Sequence, residues 1–144
     1  PFLSHDDLRL YFASDRPLND SVTKSKDYDI WYVERKTINE NWSKPINLGL
    51  PINTEKDEFY PSVALNGNLY YTSDNENSLG KDDIFVSYWK DNSYTNPINL
   101  GTAINSNGYE FNAFIETYTS SLAYYDENFD NNYMVCCVLL ACLT

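Results

Sequence analysis

Histidine, positive charge and glycine are all scarce in this chain, and each scarcity removes a class of function. There is one histidine, His5, so no Ser-His-Asp constellation can form except through it. Gly-x-Ser-x-Gly, the strained turn that exposes a hydrolase serine, does not occur. Ten basic residues face 21 acidic ones, for a net charge of −11. A nucleic-acid binder needs a basic stripe to displace phosphate counterions, and none is visible. An anionic membrane surface would repel the chain for the same reason. Solubility is the ordinary reading of that acidity. The longest apolar run, Met134 to Leu143, is about half of what a membrane-spanning helix needs. Cysteine is confined to that run, at Cys136, Cys137 and Cys142. A zinc site needs a second pair of ligands elsewhere, and a disulfide scaffold spreads its cysteines along the chain. Neither pattern is present, and the three read as apolar thiols of a tail strand. Nothing calls for a cofactor. The chain opens at Pro1-Phe2-Leu3 without an initiator Met, which suggests a processed product or a segment of a longer protein.

What the chain has in quantity is tyrosine and self-similarity. Thirteen of its aromatics are Tyr, against 7 Phe and 3 Trp, and aromatic residues suit pleated, half-buried surfaces. Pro45-Ile46-Asn47-Leu48-Gly49 returns as Pro97-Ile98-Asn99-Leu100-Gly101, 52 residues on (45 to 97). At the same shift Ile52-Asn53 recurs as Ile104-Asn105 and Glu58-Phe59 as Glu110-Phe111. A period of roughly 20–50 residues marks stacked supersecondary units, each covering apolar surface of the next. Within the unit, Leu8 to Asp15 matches Asn68 to Asp74, and Asp29 to Val33 matches Asp83 to Ser87. These runs are short, aromatic and bounded by turn residues, which predicts strands. They are near-continuously apolar, as strands covered on both faces are. No helical period lies between them, so the expected class is all-β with stacked sheets. The first copy carries five extra residues within Pro17 to Tyr28, as a surface hairpin loop tolerates. Asn41 to Pro45 and Asn92 to Pro97 are expected to form the outermost strands, since proline donates no ladder hydrogen bond. First strands are expected over Phe59 to Leu65 and Phe111 to Glu116.

These residues resemble the WD-like propeller repeat of TolB-type bacterial envelope proteins. The resemblance rests on Pro1, Ser4, Asp6, Leu10-Tyr11-Phe12, Ser14-Asp15 and Asp29-Ile30, and again on Pro61, Asn66-Gly67, Leu69-Tyr70-Tyr71, Ser73-Asp74 and Asp83-Ile84. The Pro-Ile-Asn-Leu-Gly linker is similar to that of arrays associated with OmpA-like domains. The resemblance spans about Pro1 to Asp126 and implies a partial β-propeller of about two and a half four-stranded antiparallel blades: 1–57, with its first strand truncated, 58–109, and an incomplete 110–144. The glycine pair of kelch repeats and the Gly-His and Trp-Asp signatures of eukaryotic WD repeats are absent. A closed propeller needs about four to eight blades, so the remaining blades of a larger parent protein are expected. The third copy decays after Tyr125, where Val135-Cys136-Cys137-Val138 replaces an aspartate-led strand.

The candidate sites are acidic rim loops. Asp74, Glu76, Asp82 and Asp83 bracket one hairpin, and Asp15 and Asp29, with Asp27, bracket its counterpart. Calcium takes about six to eight oxygen ligands, but an aspartate at a strand end commonly accepts backbone N–H groups and fixes the turn. The turn reading is preferred, and no metal is expected. Asp126-x-Asn128-x-Asp130-x-Asn132 opens like a calcium loop but lacks its central glycine and closing glutamate. His5, between Ser4 and Asp6, reads as a turn residue. Trp31, Trp42 and Trp89 are expected to pack between blades. What the resemblance implies is a non-enzymatic interaction or scaffold module of the periplasm or cell envelope, with a protein or peptidoglycan-associated partner. Two alternatives stand beside it: a gating propeller segment of a prolyl-oligopeptidase-like hydrolase, and a glycan-binding, lectin-like module.

Overall fold

The computed structural model describes residues 1–19, 27–116 and 121–126. Among these, every regular element is a β-strand. The first sheet joins β1 (Phe2–Leu3), β2 (Arg9–Ser14), β3 (Asp29–Glu34) and β4 (Ile46–Asn47) in chain order, all antiparallel. The second repeats that plan with β5 (Glu58–Val63), β6 (Leu69–Ser73) and β7 (Asp83–Ser87). A small ribbon of β8 (Trp89–Lys90) and β9 (Ser93–Tyr94) then precedes its outer strand, β10 (Ile98–Asn99). A hairpin of β11 (Glu110–Glu116) and β12 (Ser121–Asp126) begins the third copy. The protein is therefore all-β, with two four-stranded antiparallel sheets and two two-stranded hairpins, β8–β9 and β11–β12, among the described residues.

The outer strands lie later than proline chemistry alone suggests. Asn41 to Pro45 is irregular, and pairing starts just beyond it, where Ile46 meets Tyr32 and Asn47 meets Trp31. In the second copy Asp91 and Asn92 both take positive φ, 51° and 62°. Two such residues in succession make the tight turn that closes a two-residue hairpin, so the chain folds back as β8–β9 before Pro97. The cysteine tail, the acidic Asp126-to-Asn132 run beyond Asp126 and much of the Pro17-to-Tyr28 loop lie outside the described residues.

The core lies between the two sheets. Tyr11, Ile30, Ile52, Val63, Leu69, Tyr71 and Phe85 form one buried cluster, with the Tyr71 and Phe85 rings stacked at 6.1 Å. Of the three tryptophans only Trp31 is buried. Trp42 is a surface ring under the Arg35 guanidinium (4.3 Å), and Trp89 sits edge-on to Tyr94 (4.8 Å). Trp42 stands in a loop and Trp89 in the β8–β9 ribbon, both at the surface, so burial between the sheets accounts for neither.

The repeated Asn-Leu-Gly-x-x-Ile-Asn stretch finishes the outer edge of each sheet. Asn47 Oδ1 accepts the Gly49 N–H (2.8 Å), and Gly49 turns the chain at φ 66°, where any Cβ is strained. The Gly49 carbonyl then accepts the N–H groups of Ile52 and Asn53. This brings the buried Asn53 amide back to β3: its Oδ1 accepts the Ile30 N–H (2.8 Å) and its Nδ2 donates to the Ile30 carbonyl (2.9 Å). Asn105 repeats both bonds with Ile84, at 2.9 Å each, and Gly101 repeats the turn at φ 73°. A side-chain amide thus stands in for one more residue of strand, pairing the N–H and carbonyl of Ile30 in one copy and of Ile84 in the other.

Candidate functional site

Successive sheets are joined at a seam that is the same in both copies. The Glu58 N–H, opening β5, donates to the Tyr28 carbonyl before β3 (2.7 Å). The Glu110 N–H, opening β11, donates to the Asp82 carbonyl before β7 (2.7 Å), and Asp82 and Tyr109 form a parallel bridge beside it. Both glutamate side chains are wholly buried. The Glu58 carboxylate accepts the Thr54 N–H (3.0 Å), the Thr54 hydroxyl (2.7 Å) and the Ser73 hydroxyl (3.3 Å). Ser106 serves Glu110 in the same way through its N–H and hydroxyl.

Burial pushes the Glu58 carboxyl up to about 7, with the nearby Asp29 charge adding to the rise, and the three donors oppose it without overcoming it. The same low-dielectric pocket raises the Tyr71 phenol, and Glu58 adds to that shift. Between about pH 4.5 and 7 the folded chain keeps a proton on Glu58 that the unfolded chain has released. Its contribution to stability is therefore complete below about pH 4.5 and is lost as pH rises through about 7. Urea melts at pH 5 and pH 8 should show this decline. Glu58→Gln, which has no proton to lose, should remove about 2–3 kcal/mol of it. A Glu58→Gln chain with the wild-type pH dependence would assign the titration to another group.

At the second seam the strand carries an irregularity with chemical consequence. The β5–β6 register shifts between Phe59 and Ser62, and the β11–β12 register shifts at the equivalent place, between Phe111 and Phe114. The bulged residue is Tyr60 in one copy (φ 49°) and Asn112 in the other (φ 59°). Asn tolerates the left-handed region, whereas a bulky aromatic there is an outlier. The bulge turns the Tyr60 ring onto Phe111, with centroids 5.6 Å apart and planes 28° from parallel, and the Phe59 ring lies tilted 6.0 Å from it. Phe59, Tyr60, Asp82, Tyr109 and Phe111 enclose an open cleft of about 310 Å³. Tyr60 and Tyr109 are both exposed.

Asp82 is the cleft's charged group. Partial burial raises its carboxyl above the ordinary range, and the Asp74, Asp57 and Asp83 charges add to the rise. Lys81 works in the opposite direction, and its ammonium lies 4.3 Å over the Tyr109 ring. Asp74 Oδ1 accepts the Asp57 N–H (3.1 Å), which draws those two carboxylates to the same end of the hairpin.

The six acidic residues singled out from the sequence therefore divide. Asp82 lines the cleft, and Asp74 stands behind it. Asp83 and Asp29 are buried: Oδ2 of each accepts an amide hydrogen, from Asn99 (2.6 Å) and Asn47 (2.9 Å), and Asp83 also takes the Leu79 N–H (2.6 Å). These two hold neighbouring strands together. Asp15 and Glu76 are exposed and outside the cleft. No group of three or more His, Cys, Asp or Glu among the described residues is placed to hold a metal ion. His5 sits in a turn fixed by Ser4 and Asp6, and its Nε2 lies 3.1 Å from the Val63 carbonyl, across the first seam. No helix among the described residues is long and apolar enough to cross a membrane.

No family model, no curated protein and no solved structure matches this chain. Phe59, Tyr60, Tyr109 and Phe111 escape a reading of sequence, although one signal was present. Inside otherwise identical Glu-Phe motifs the next residue changes from Asn112 to Tyr60, and that exchange puts an aromatic where the backbone favours a small polar residue.

Proposed function

We propose that this chain is a β-propeller-type repeat segment, about two and a half four-stranded units of a larger bacterial cell-envelope protein, acting in the periplasm as a non-enzymatic interaction module. Two successive four-stranded meanders, closed by the same asparagine latch and joined by the same seam bond, support the repeat reading. The observation that carries the interaction reading is the aromatic cleft at the second seam. It offers ring faces and one carboxylate on a rigid scaffold, and a pre-organised surface of this kind favours recognition because little ordering is lost on binding. Its partner is a protein or a peptidoglycan-associated molecule. A direct test is co-sedimentation with purified peptidoglycan sacculi and with sacculi that retain their bound proteins. Wild type should pellet with one of the two, and Tyr60→Asn should reduce that fraction at least about fivefold. Equal retention of wild type and variant, or none of either, would remove the cleft as the interaction face.

A further inference from the structure

Taking the cleft as an interaction face, we propose that it binds a basic side chain, lysine or arginine, presented by a partner peptide. The methylene stem lies along the Tyr60 and Phe111 rings, and the cationic head meets the Asp82 carboxylate.

Charge comes first. Asp57, Asp74 and Asp82 have no cationic side chain within ion-pair distance among the described residues, and Asp82 is partly removed from water while these neighbours repel it. A cation arriving there relieves like-charge repulsion and gains a charge-assisted hydrogen bond. The whole chain, at −11, steers cations in the same sense. The rings are the second ground. Aromatic faces attract ammonium and guanidinium groups within about 6 Å of their centroids, and Lys81 already occupies such a position over Tyr109. Size is the third: 310 Å³ is at the small end of ligand clefts, which run from roughly 300 Å³ upward, and suits a single side chain. A saccharide wants a ring of paired donors and acceptors, whereas these walls supply one carboxylate and two phenols. The last ground is the backbone at Tyr60. Strain of order 1 kcal/mol persists where the surroundings hold it, and such positions cluster at ligand clamps. Here it holds an aromatic ring at a bend where the neighbouring copy places an unstrained Asn112.

Asn112 also supplies the control. Tyr60→Asn introduces the residue that occupies the same bend 52 positions on (60 to 112), so it removes the ring and keeps the backbone. The probes are acetyl-Gly-Lys-Gly-Arg-Gly-amide and its isomer with glutamate at both charged positions, titrated into the ¹⁵N-labelled chain. The expected result is saturable shift changes at Tyr60, Asp82, Tyr109 and Phe111 with the basic peptide only. Affinity should fall at least about tenfold in Tyr60→Asn and in Asp82→Asn, stay within about twofold in Tyr60→Phe, and weaken as salt rises. Retained spectral dispersion shows that each variant is folded. Equal affinity for all variants would reduce the effect to a general acidic surface and overturn the assignment. A response at these residues to diacetylchitobiose but not to the basic peptide would overturn it too, as would self-association abolished by Tyr60→Asn, and both would leave the interaction reading standing. Silence of the four residues towards peptide, saccharide and a second copy alike would take that reading down as well.

Discussion

Asn53→Ala should lower the unfolding free energy by about 3 kcal/mol, with a steep fall in the urea midpoint and an unchanged slope. The Asn53 side chain is buried and makes three hydrogen bonds: from the Ile30 N–H, to the Ile30 carbonyl and to Asn47 Oδ1. Ile30 is fully buried in β3, so alanine leaves its N–H without partner or water. An orphaned buried donor costs about 1–3 kcal/mol, and loss of the two remaining bonds adds to that. The Ile30 carbonyl keeps the Leu48 N–H (3.1 Å), and Asn47 keeps Gly49, which bounds the effect. Asn53→Asp offers no rescue, because its second oxygen would face two acceptors in a buried site. Asn105→Ala should cost a similar amount through Ile84. An Asn53→Ala chain within about 0.5 kcal/mol of wild type would show that the amide does not carry the edge.

Gly80→Ala should destabilise by about 3 kcal/mol through close approach alone. A Cβ at Gly80 would lie 2.5 Å from the Asn107 carbonyl carbon, 2.5 Å from the Ser106 oxygen and 2.8 Å from the Asn107 Cα. All three are backbone atoms, so no flexible side chain can swing aside. The linker must move instead, and with it go the Lys81 N–H bond to the Gly108 carbonyl (2.9 Å) and the Glu110 amide bond to Asp82. Gly49→Ala is the matched control: its Cβ meets nothing within 4 Å, but its φ of 66° is strained, for a cost nearer about 1 kcal/mol. Amide exchange adds a positional readout. Glu110 should exchange faster in Gly80→Ala while Ile30 keeps its protection. Equal costs for the two glycines would mean that the linker yields freely.

Much of the architecture was legible in the sequence because local pattern suffices for it. Strands β2, β3, β6 and β7 fall where aromatic runs bounded by Ser, Asp and Asn place them. The two sheets recur because the residues that build them recur. What the Asn53 and Asn105 copies do was not legible: each amide reaches a strand more than twenty residues earlier, and nothing in the local pattern names that strand. The repeated stretch read as an edge strand and linker, whereas half of it is side-chain hydrogen bonding. The acidic loops were legible only as a group. Adjacent residues Asp82 and Asp83 take opposite roles: Asp82 bridges to Tyr109 at the seam just before β7 and lines the cleft, while Asp83 opens β7 and accepts from Asn99. The aromatic walls come from two copies of the repeat and meet only once the seam is formed.

That seam also sets where the chain can be divided. The first sheet's outer edge is completed by Asn53, and its Tyr28 carbonyl by the Glu58 amide. Both groups come after its last strand, so the cooperative unit extends past β4 through the linker to Glu58. A fragment cut at the end of β4 would contain every strand of the sheet and still lack the groups that close it. Such a piece would fray from its rim inward, because the linker that reads as a spacer closes the sheet before it, and only the Glu58 amide is borrowed from the next unit.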